Sequence, residues 1–362
     1  MNQQPLVSIG MLVYNHGKYL EKAIESILMQ EVNFRYEIVI ADDYSTDNSR
    51  DIILKYYQKY PKIIKPILQE RNVGMRLNSD TLRHNCIGKY RATLEGDDFW
   101  ITTDKLQKQV NFLEKNQDYI AIGADFTCVD DDNKPCRFPW GDIKYTYCQD
   151  SEYTLKHVNE WLLPGHASTM LFRNVFHTCT KEMLEEFEKT MILGDRRTTL
   201  FLVLQGKVKH VREVVMVRRV LRKSNTSMTN MTSKMNWQAT NYGWLLEAER
   251  FAKEVFNVTL DLQKIKEKRW FGALKMFLLN PSKDNLVVVI EIFKLSDNKF
   301  RYLNLAMKKI YNKLKNKLKR EGIVKASINL VYFIIKFIIK FLKNMRSKEK
   351  IEEKSILRSF SK

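Results

Sequence analysis

The chain has little of what marks several whole classes of protein. Its 362 residues include 5 Cys, 7 Pro and 13 Gly. So few Pro and Gly exclude a collagenous or low-complexity chain. The cysteines (Cys86, Cys128, Cys136, Cys148, Cys179) are odd in number, and no two have CxxC spacing. That argues against a disulfide scaffold and leads us to expect reduced thiols in a cytosolic setting. Met1 is not followed by a basic segment and an apolar run, so no secretory leader is expected. There is no GxxxxGK(S/T) phosphate loop and no GxGxxG after the first apolar run. The first absence removes P-loop nucleotide binding, and the second argues against dinucleotide oxidoreductases.

What is present is a chain with 44% apolar residues, enough for a sizeable core, and a net charge of +19. The charge is uneven. Residues 1–260 carry 35 basic and 33 acidic groups, while residues 261–362 carry 26 and 9. The excess therefore belongs to the C-terminal part, which suits a polyanionic partner such as nucleic acid or an acidic membrane surface.

The first half alternates between strand and helix periods. Leu6–Val13 is a compact apolar run, and Lys18–Gln30 places Leu20, Ala23, Ile24, Ile27 and Leu28 at helical spacing. Strands are expected at Glu37–Ala41, Ile63–Leu68 and Tyr90–Leu94, with helices at Ser49–Tyr60 and Asn78–Cys86. This alternation predicts an α/β fold with a mostly parallel central sheet flanked by helices, Rossmann-like in layout. Further on, a helix follows Asp104, a strand covers Tyr119–Asp130, and Asp130–Lys134 is a turn. Residues 136–166 have no period and read as a loop-rich insertion. Ser168–Arg173 and Val208–Val220 are strand-like, a helix runs from Gly194 to Leu204, and helical patterning begins near residue 225.

In such sheets ligands sit at the carboxyl ends of the strands. Three expected strands run there into Tyr14-Asn15-His16, Asp42-Asp43 and Glu95-Gly96-Asp97-Asp98. Asp97 and Asp98, with Glu95 two residues before, suit a hard divalent ion, Mg²⁺ or Mn²⁺, bridging a nucleotide diphosphate. The tetrapeptide alone reads equally as a solvated turn. Tyr14 alone is equally a core-edge aromatic, Asp42 an Asx turn, and Asp195 after Gly194 a helix N-cap.

Residues 6–225 resemble the family-2 glycosyltransferases, which have a glycosyltransferase-A fold. The likeness rests on Val7–Asn15, Ile40–Asp47, Asn72-Val73-Gly74, Gly88-Lys89-Tyr90 and Glu95–Trp100, then Gly194-Asp195 ahead of Gly206-Lys207-Val208 and Val214–Val217, in the family's order and spacing. The resemblance implies that Tyr14, Asn15, Asp42, Asn72, Glu95 and Gly96 bind the nucleotide. It implies that Asp97 holds the metal with Asp98 beside it, although the family more often has Asp where Glu95 stands. Asp43 would be a turn or capping residue. Asp195 matches the acidic position that serves these enzymes as general base. Family members often carry Tyr-Arg-x-His after the last strand. Here Arg218-Arg219-Val220-Leu221 keeps only the Arg, at Arg219, so Arg218, Arg222 or Lys223 would supply charge in place of the His. His166 stands where relatives place acceptor-side residues, although a lone loop His is more often simply solvated.

The last hundred residues add a cationic run, Lys313 to Arg320, and then Ile328–Leu342, an apolar stretch broken by Asn329, Lys336 and Lys340. On a helix these polar positions share a stripe with Lys325 and Lys343, opposite Leu330, Phe333, Ile334, Phe337, Ile338 and Phe341. That is short of the ~20 residues of a bilayer span and fits an in-plane helix at an acidic membrane, or a helix packed on the core. No recognition motif supports nucleic acid as partner.

The expected organisation is a catalytic domain at 1–225, with a nucleotide-binding half at 1–104 and an acceptor-binding half at 105–225. A helical basic extension follows at 226–322, and a membrane-associating tail at 323–362. The expected function is inverting, metal-assisted transfer of a sugar from a nucleotide-sugar, a UDP-sugar for preference, to a hydroxyl of a saccharide or lipid-linked acceptor. Such a protein would work on the cytoplasmic face of the plasma membrane and is compatible with a homo-oligomer. The alternatives are a catalytically degenerate nucleotide-binding scaffold and a nucleotidyltransferase.

Overall fold

The computed structural model describes residues 4–137, 146–192, 194–221, 237–280, 282–296 and 302. The chain divides into two compact units: Met1–Met235 with Leu246–Leu262, and Asn236–Leu245 with Gln263–Lys362. The expected tail at 323–362, with Arg222 and Lys223, lies outside the described residues.

The first unit is built on one nine-stranded sheet. Its opening elements are β1 (Val7–Val13), α1 (Gly17–Leu28), β2 (Tyr36–Asp42), α2 (Ser49–Lys59), β3 (Ile64–Leu68), α3 (Met75–Asn85) and β4 (Tyr90–Thr93). β5 (Phe99–Trp100), α4 (Lys105–Lys115), β6 (Tyr119–Asp130), β7 (Glu152–Tyr153), α5 (Leu155–Asn159) and β8 (Leu171–Arg173) follow. α6 (Lys181–Lys189), α7 (Gly194–Val203) and β9 (Lys207–Val220) complete it. The order across the sheet is β3-β2-β1-β4-β8-β6-β9-β5, with β7 also on β9. β3, β2, β1 and β4 are mutually parallel, and so are β6 and β9. β8 runs antiparallel to both β4 and β6 and joins the two blocks.

The local physics follows the sequence. β1 is covered on both faces, and six of its seven residues are buried, as a central parallel strand requires. α1 buries Leu20, Ala23, Ile24 and Ile27 on one stripe, and each large aliphatic contributes about 2 kcal/mol. α3 begins at Met75, three residues before the expected start, because Gly74 takes φ +86 and turns the chain there. The 136–166 stretch is not wholly irregular, since it holds β7 and α5. Elements of two and five residues are too short to show a period, and α5 is set by a capping box between Thr154 and His157. Of the expected strand 168–173 only Leu171–Arg173 is extended; Ala167–Thr169 is a 3₁₀ turn that His166 caps by accepting from the Ser168 amide. β5 and α6 were not anticipated. All five cysteines are free thiols.

The C-terminal part is helical, with α8 (Trp237–Phe256), α9 (Gln263–Leu279) and α10 (Lys283–Leu295). Within the first unit, Phe251 and Phe256 pack on Phe201, and Arg250 pairs with Glu186 at 3.0 Å. Within the second, Trp270 packs edge-on against Tyr302, and the Tyr242 hydroxyl bonds Ser296 at 3.1 Å. No helix among the described residues is long and apolar enough to cross a membrane.

The amino ends of three parallel strands are tied by one buried polar cluster. Ser8 donates to Glu37 at 2.5 Å and accepts from the Gly88 amide at 2.7 Å, while the Ile87 amide donates to the same carboxylate at 3.2 Å. Ser8→Ala leaves both partners underserved in the dry interior. We expect it to cost about 1–3 kcal/mol, read as a lower denaturation midpoint at unchanged slope.

Candidate active site

β1, β2 and β4 end side by side, so their following loops share one edge of the sheet. The loop after β1 is fastened to the loop after β2. The Asn15 amide donates to Ser45 at 2.9 Å, the Asn15 side chain accepts from the Thr46 amide at 2.8 Å, and the Gly17 amide donates to Asp47 at 2.9 Å. Asn15 sits at φ 57, a conformation Asn tolerates better than most residues. Its side-chain oxygen is thus spent on the neighbouring loop. Tyr14, just before it, is half-buried in the loop after β1.

Two adjacent carboxylates behave differently. Asp43 uses both oxygens on backbone, accepting from Val73 at 2.7 Å and Gly74 at 3.0 Å, as its expected turn role requires. Asn72 braces the same loop by donating to the Asp43 carbonyl at 3.2 Å. Asp42 is fully buried and accepts from Arg50 at 2.7 Å and the Ser45 amide at 3.1 Å, both through Oδ2. Its Oδ1 is buried without a hydrogen-bond partner. A buried, unmet acceptor beside a half-open mouth is a ready seat for an N–H donor.

The loop after β4 carries the acidic trio. One carboxylate oxygen from each of Glu95, Asp97 and Asp98 lies within 4.8 Å of the others. Gly96 permits this turn, since a Cβ there would come within 2.7 Å of the His16 ring. Asp98 accepts from the Arg219 amide at 2.8 Å. The Arg219 side chain donates to the Asp97 carbonyl at 3.1 Å and to Asn133 at 2.7 Å, and lies over the Tyr19 ring at 4.3 Å. Arg219 therefore braces the acidic loop. Glu95 is exposed at the cleft, yet crowding by the surrounding protein, with the like charges of Asp97 and Asp195, pushes its carboxyl up. Burial and the charges of Asp97 and Glu95 hold Asp98 well above the ordinary carboxylate range. One oxygen of Asp97 is buried with no partner. Oxygen-only ligands, mutual repulsion and an unmet oxygen together fit a hard divalent cation.

Asp195 comes to the same cleft from the other half of the chain. Gly194 takes φ +47 and starts α7, Asp195 stands in the first turn, and it lines the same cavity as Ala167. Desolvation raises its pKa, with Arg218 and Arg196 acting against the rise. Asp195 and Glu95 line one cavity.

His166 is not a solvated loop residue. It is buried against Phe126, and burial with the nearby Arg218 charge depresses its pKa to about 3, so it stays neutral. Its ring caps the Ala167–Thr169 turn at the wall of the cavity that Asp195 also lines. That turn is also held by groups the sequence reading did not single out. Trp100 donates to the Ser168 carbonyl at 2.8 Å, Gln109 to the Thr169 carbonyl at 2.8 Å, and Thr93 to the Ala167 carbonyl at 3.2 Å. Trp100 follows the acidic loop directly and could have been flagged on that ground. A second close group, Cys148, Asp150 and His157, is accounted for by the His157–Asp150 pair at 2.9 Å and the cap of α5.

A family model described as Glycosyl transferase family 2 matches residues 8–174. The uncharacterized protein Rv1520 of Mycobacterium tuberculosis is 37% identical over 110 residues, 30% of this chain and 32% of that protein. TuaG, a Bacillus subtilis protein named for teichuronic acid biosynthesis, is 38% identical over 112 residues, 31% of this chain and 43% of that protein. A chondroitin synthase of Escherichia coli is 34% identical over 99 residues, 27% and 14% of the two chains. The chain spans less than half the length of each of these relatives. Among solved structures, S. aureus TarS 1–349 in complex with UDP-GlcNAc superposes with a TM-score of 0.55 at 17% identity, over 79% of each chain. The same protein in complex with UDP covers 88% of this chain and 92% of its own, at 16% identity and a TM-score of 0.55. At these identities the likeness is one of fold.

The raised carboxyls make a prediction about stability. A carboxyl whose folded pKa lies above its unfolded value binds more protons in the folded state, so stability falls as pH rises between the two. For Glu95 the window runs from the ordinary value of 4.5 to about 8. In chelator, the melting temperature should therefore fall across this window, and Glu95→Gln should flatten the slope. A slope unchanged by Glu95→Gln would show that the crowding does not act on this group.

Proposed function

Residues 8–174 of this chain belong to the family-2 glycosyltransferases, and from that premise we propose that it transfers a sugar from a nucleotide-sugar donor to a hydroxyl of a saccharide acceptor, with inversion at the anomeric carbon. The observation that carries the reading is the meeting of the Glu95-Asp97-Asp98 trio and Asp195 at one cleft. The unmet Oδ1 of Asp42 would accept from the base, with Tyr14 alongside it and the loop held in place by Asn15 and Asn72. A UDP-sugar is the donor class this reading adopts, and the structural likeness to a fold that accommodates UDP-GlcNAc in TarS supports it. The names of TuaG and the chondroitin synthase support a polysaccharide acceptor.

Asp97, with Asp98 and Glu95 beside it, would hold Mg²⁺ or Mn²⁺. Such an ion neutralises charge on a departing nucleoside diphosphate. Arg218, whose charge reaches Glu95, Asp98 and Asp195, adds positive potential on the same side. Asp195 takes the proton of the acceptor hydroxyl as that oxygen bonds to the anomeric carbon and the bond to the diphosphate breaks. Its raised pKa makes it a stronger base than a solvated carboxylate. Glu95, lining the same cavity, stands against the sugar or its ribose neighbour.

Asp195→Asn keeps the shape and removes the base. Turnover should fall about 10²–10⁴-fold with donor binding retained, and near-normal transfer would sink the assignment. Asp97→Ala should weaken nucleotide binding in the presence of Mn²⁺. If no donor yields a free nucleoside diphosphate and Asp97→Ala binds nucleotide as the wild type does, the chain is a binding scaffold; release of pyrophosphate would mark a nucleotidyltransferase.

For location we propose the inner face of the plasma membrane, on the amphipathic pattern of residues 323–362 alone. A lipid-linked acceptor would explain why a catalytic domain has such a tail. Truncation after residue 322 should reduce binding to vesicles containing anionic lipid, and undiminished binding would favour a helix packed on the protein.

A further inference from the structure

The cavity shared by Glu95 and Asp195 does not end at the cleft. Its far side is built from guanidinium groups: Arg76, Arg83, Arg91 and Arg197 all line it. Three of them are deeply buried, Arg83 at 3%, Arg91 at 5% and Arg197 at 7% exposure. Two carboxylates answer this charge from behind. Arg83 pairs with Asp80 at 3.1 Å and Glu188 at 2.6 Å, and Arg197 shares Asp80 at 3.1 Å. Arg76 donates to the Glu188 carbonyl. Neither Asp80 nor Glu188 lines the cavity.

Arg91 stands apart. Its Nε is buried without a partner, and no hydrogen bond or close ion pair to its guanidinium is found among the described residues; the Phe176 ring lies 5.7 Å away, and the Asp80 carboxylate acts on it only from a distance. Nε of Arg83, and Nε and Nη1 of Arg197, are also buried without hydrogen-bond partners. Arginine does not escape burial by losing its proton, and an uncompensated buried charge costs several kcal/mol. Arg91 also breaks the pattern of its strand. In β4 it occupies a mid-strand position where an apolar side chain would pack, and it lines the cavity together with Thr93. The other walls are apolar, with Leu12, Leu82, Phe172 and Phe187 among them.

Apolar walls closing on a cationic floor suit a ring that carries one anionic substituent, because a guanidinium fork matches a carboxylate bidentately. Of the acidic trio only Glu95 reaches this cavity, so the floor is separate from the seat of a metal-held diphosphate. We propose that the cavity receives an acidic sugar residue, a hexuronate or its equivalent, with the carboxylate on Arg91 and with Arg83 and Arg197 completing the positive field. This deepens the glycosyl-transfer reading and rests on it for the word sugar; the anion site itself rests on the arginines.

The test uses the full chain and a probe that needs no turnover. Free glucuronate should raise the melting temperature where glucose does not, and Arg91→Met should abolish that response. Arg91→Met should also raise the melting temperature of the ligand-free protein, because it removes an unpaired buried charge; a merely structural arginine would give the opposite sign. Should Arg91→Met fail to fold, Arg91→Lys keeps the charge without the fork, and glucuronate affinity should drop at least threefold. In donor hydrolysis, a tenfold or greater preference for UDP-glucuronate over UDP-glucose, lost in the variant, places the acid on the donor. Stabilisation by glucuronate without that preference places it on the acceptor. If glucuronate fails to stabilise the wild type, or stabilises wild type and variants alike, and UDP-glucuronate is no better a donor than UDP-glucose, the proposal falls. Glucuronate binding without nucleoside diphosphate release from any donor would instead sink the transferase reading and leave the anion site standing.

Discussion

The amide of Arg219 donates to Asp98 across 121 residues of chain, and the acidic edge depends on that bond. It ties the end of β9 to the loop after β4, which places the two blocks of the sheet in one register at the carboxyl edge. The Arg219 side chain then fixes the backbone of Asp97 and reaches Asn133 in the turn after β6. Three carboxylates so close together repel one another, and desolvation adds to the cost. They stay together because Arg219 holds the loop through one Asp98 oxygen and the Asp97 carbonyl, leaving the other carboxylate oxygens for a ligand. Stability is thus lower at this edge than the packing around it would allow, the usual condition of a binding site.

Not every polar residue at such an edge faces a ligand, and the free oxygens separate the two kinds. Asp42 and Asp43 are neighbours, both buried and both hydrogen-bonded to backbone. Asp43 has both oxygens satisfied by the loop after β3 and is complete without a ligand. Asp42 has one oxygen satisfied and the other buried and unmet. The same test separates the arginines, since Arg219 makes contacts on all sides while Arg91 makes no hydrogen bond to protein.

The parts legible in the sequence were those set by burial on both faces or by a full helical period. β1 and β2 are near-continuous apolar runs, α1 has a clean stripe, and the parallel topology they imply brings Asn15, Asp42 and Glu95 to one edge. The parts that were not legible depend on tertiary partners. β5, β7 and α5 are too short to carry a period, and Ala167–Thr169 is a turn only because His166 and Trp100 hold it. The burial of His166, a candidate on the acceptor side, was not legible because nothing in Leu163–Ser168 reveals that Phe126 will cover it. Arg219 matched a family position, but the chain alone does not show that Asn133 and Tyr19 wait to receive it. Arg91 was visible as a charge within an apolar strand, yet its meaning required seeing that no carboxylate hydrogen-bonds it.

The overall charge of +19 says little about this chemistry, because residues 1–260 are nearly balanced. What acts on a substrate is the separation within that balance: carboxylates at the rim, guanidinium groups at the floor, and Glu95 and Asp195 between them. An anionic donor approaching a bare rim meets repulsion first. A divalent cation held at Asp97, as proposed, would offset the negative charge there. In the proposed role as base Asp195 must stay ionised, and the charges of Arg218 and Arg196 act in that direction. The proposed base, metal seat and anion floor stay distinct because they come from different elements: Asp195 from the first turn of α7, the acidic trio from the loop after β4, and the arginines from α3, β4 and α7.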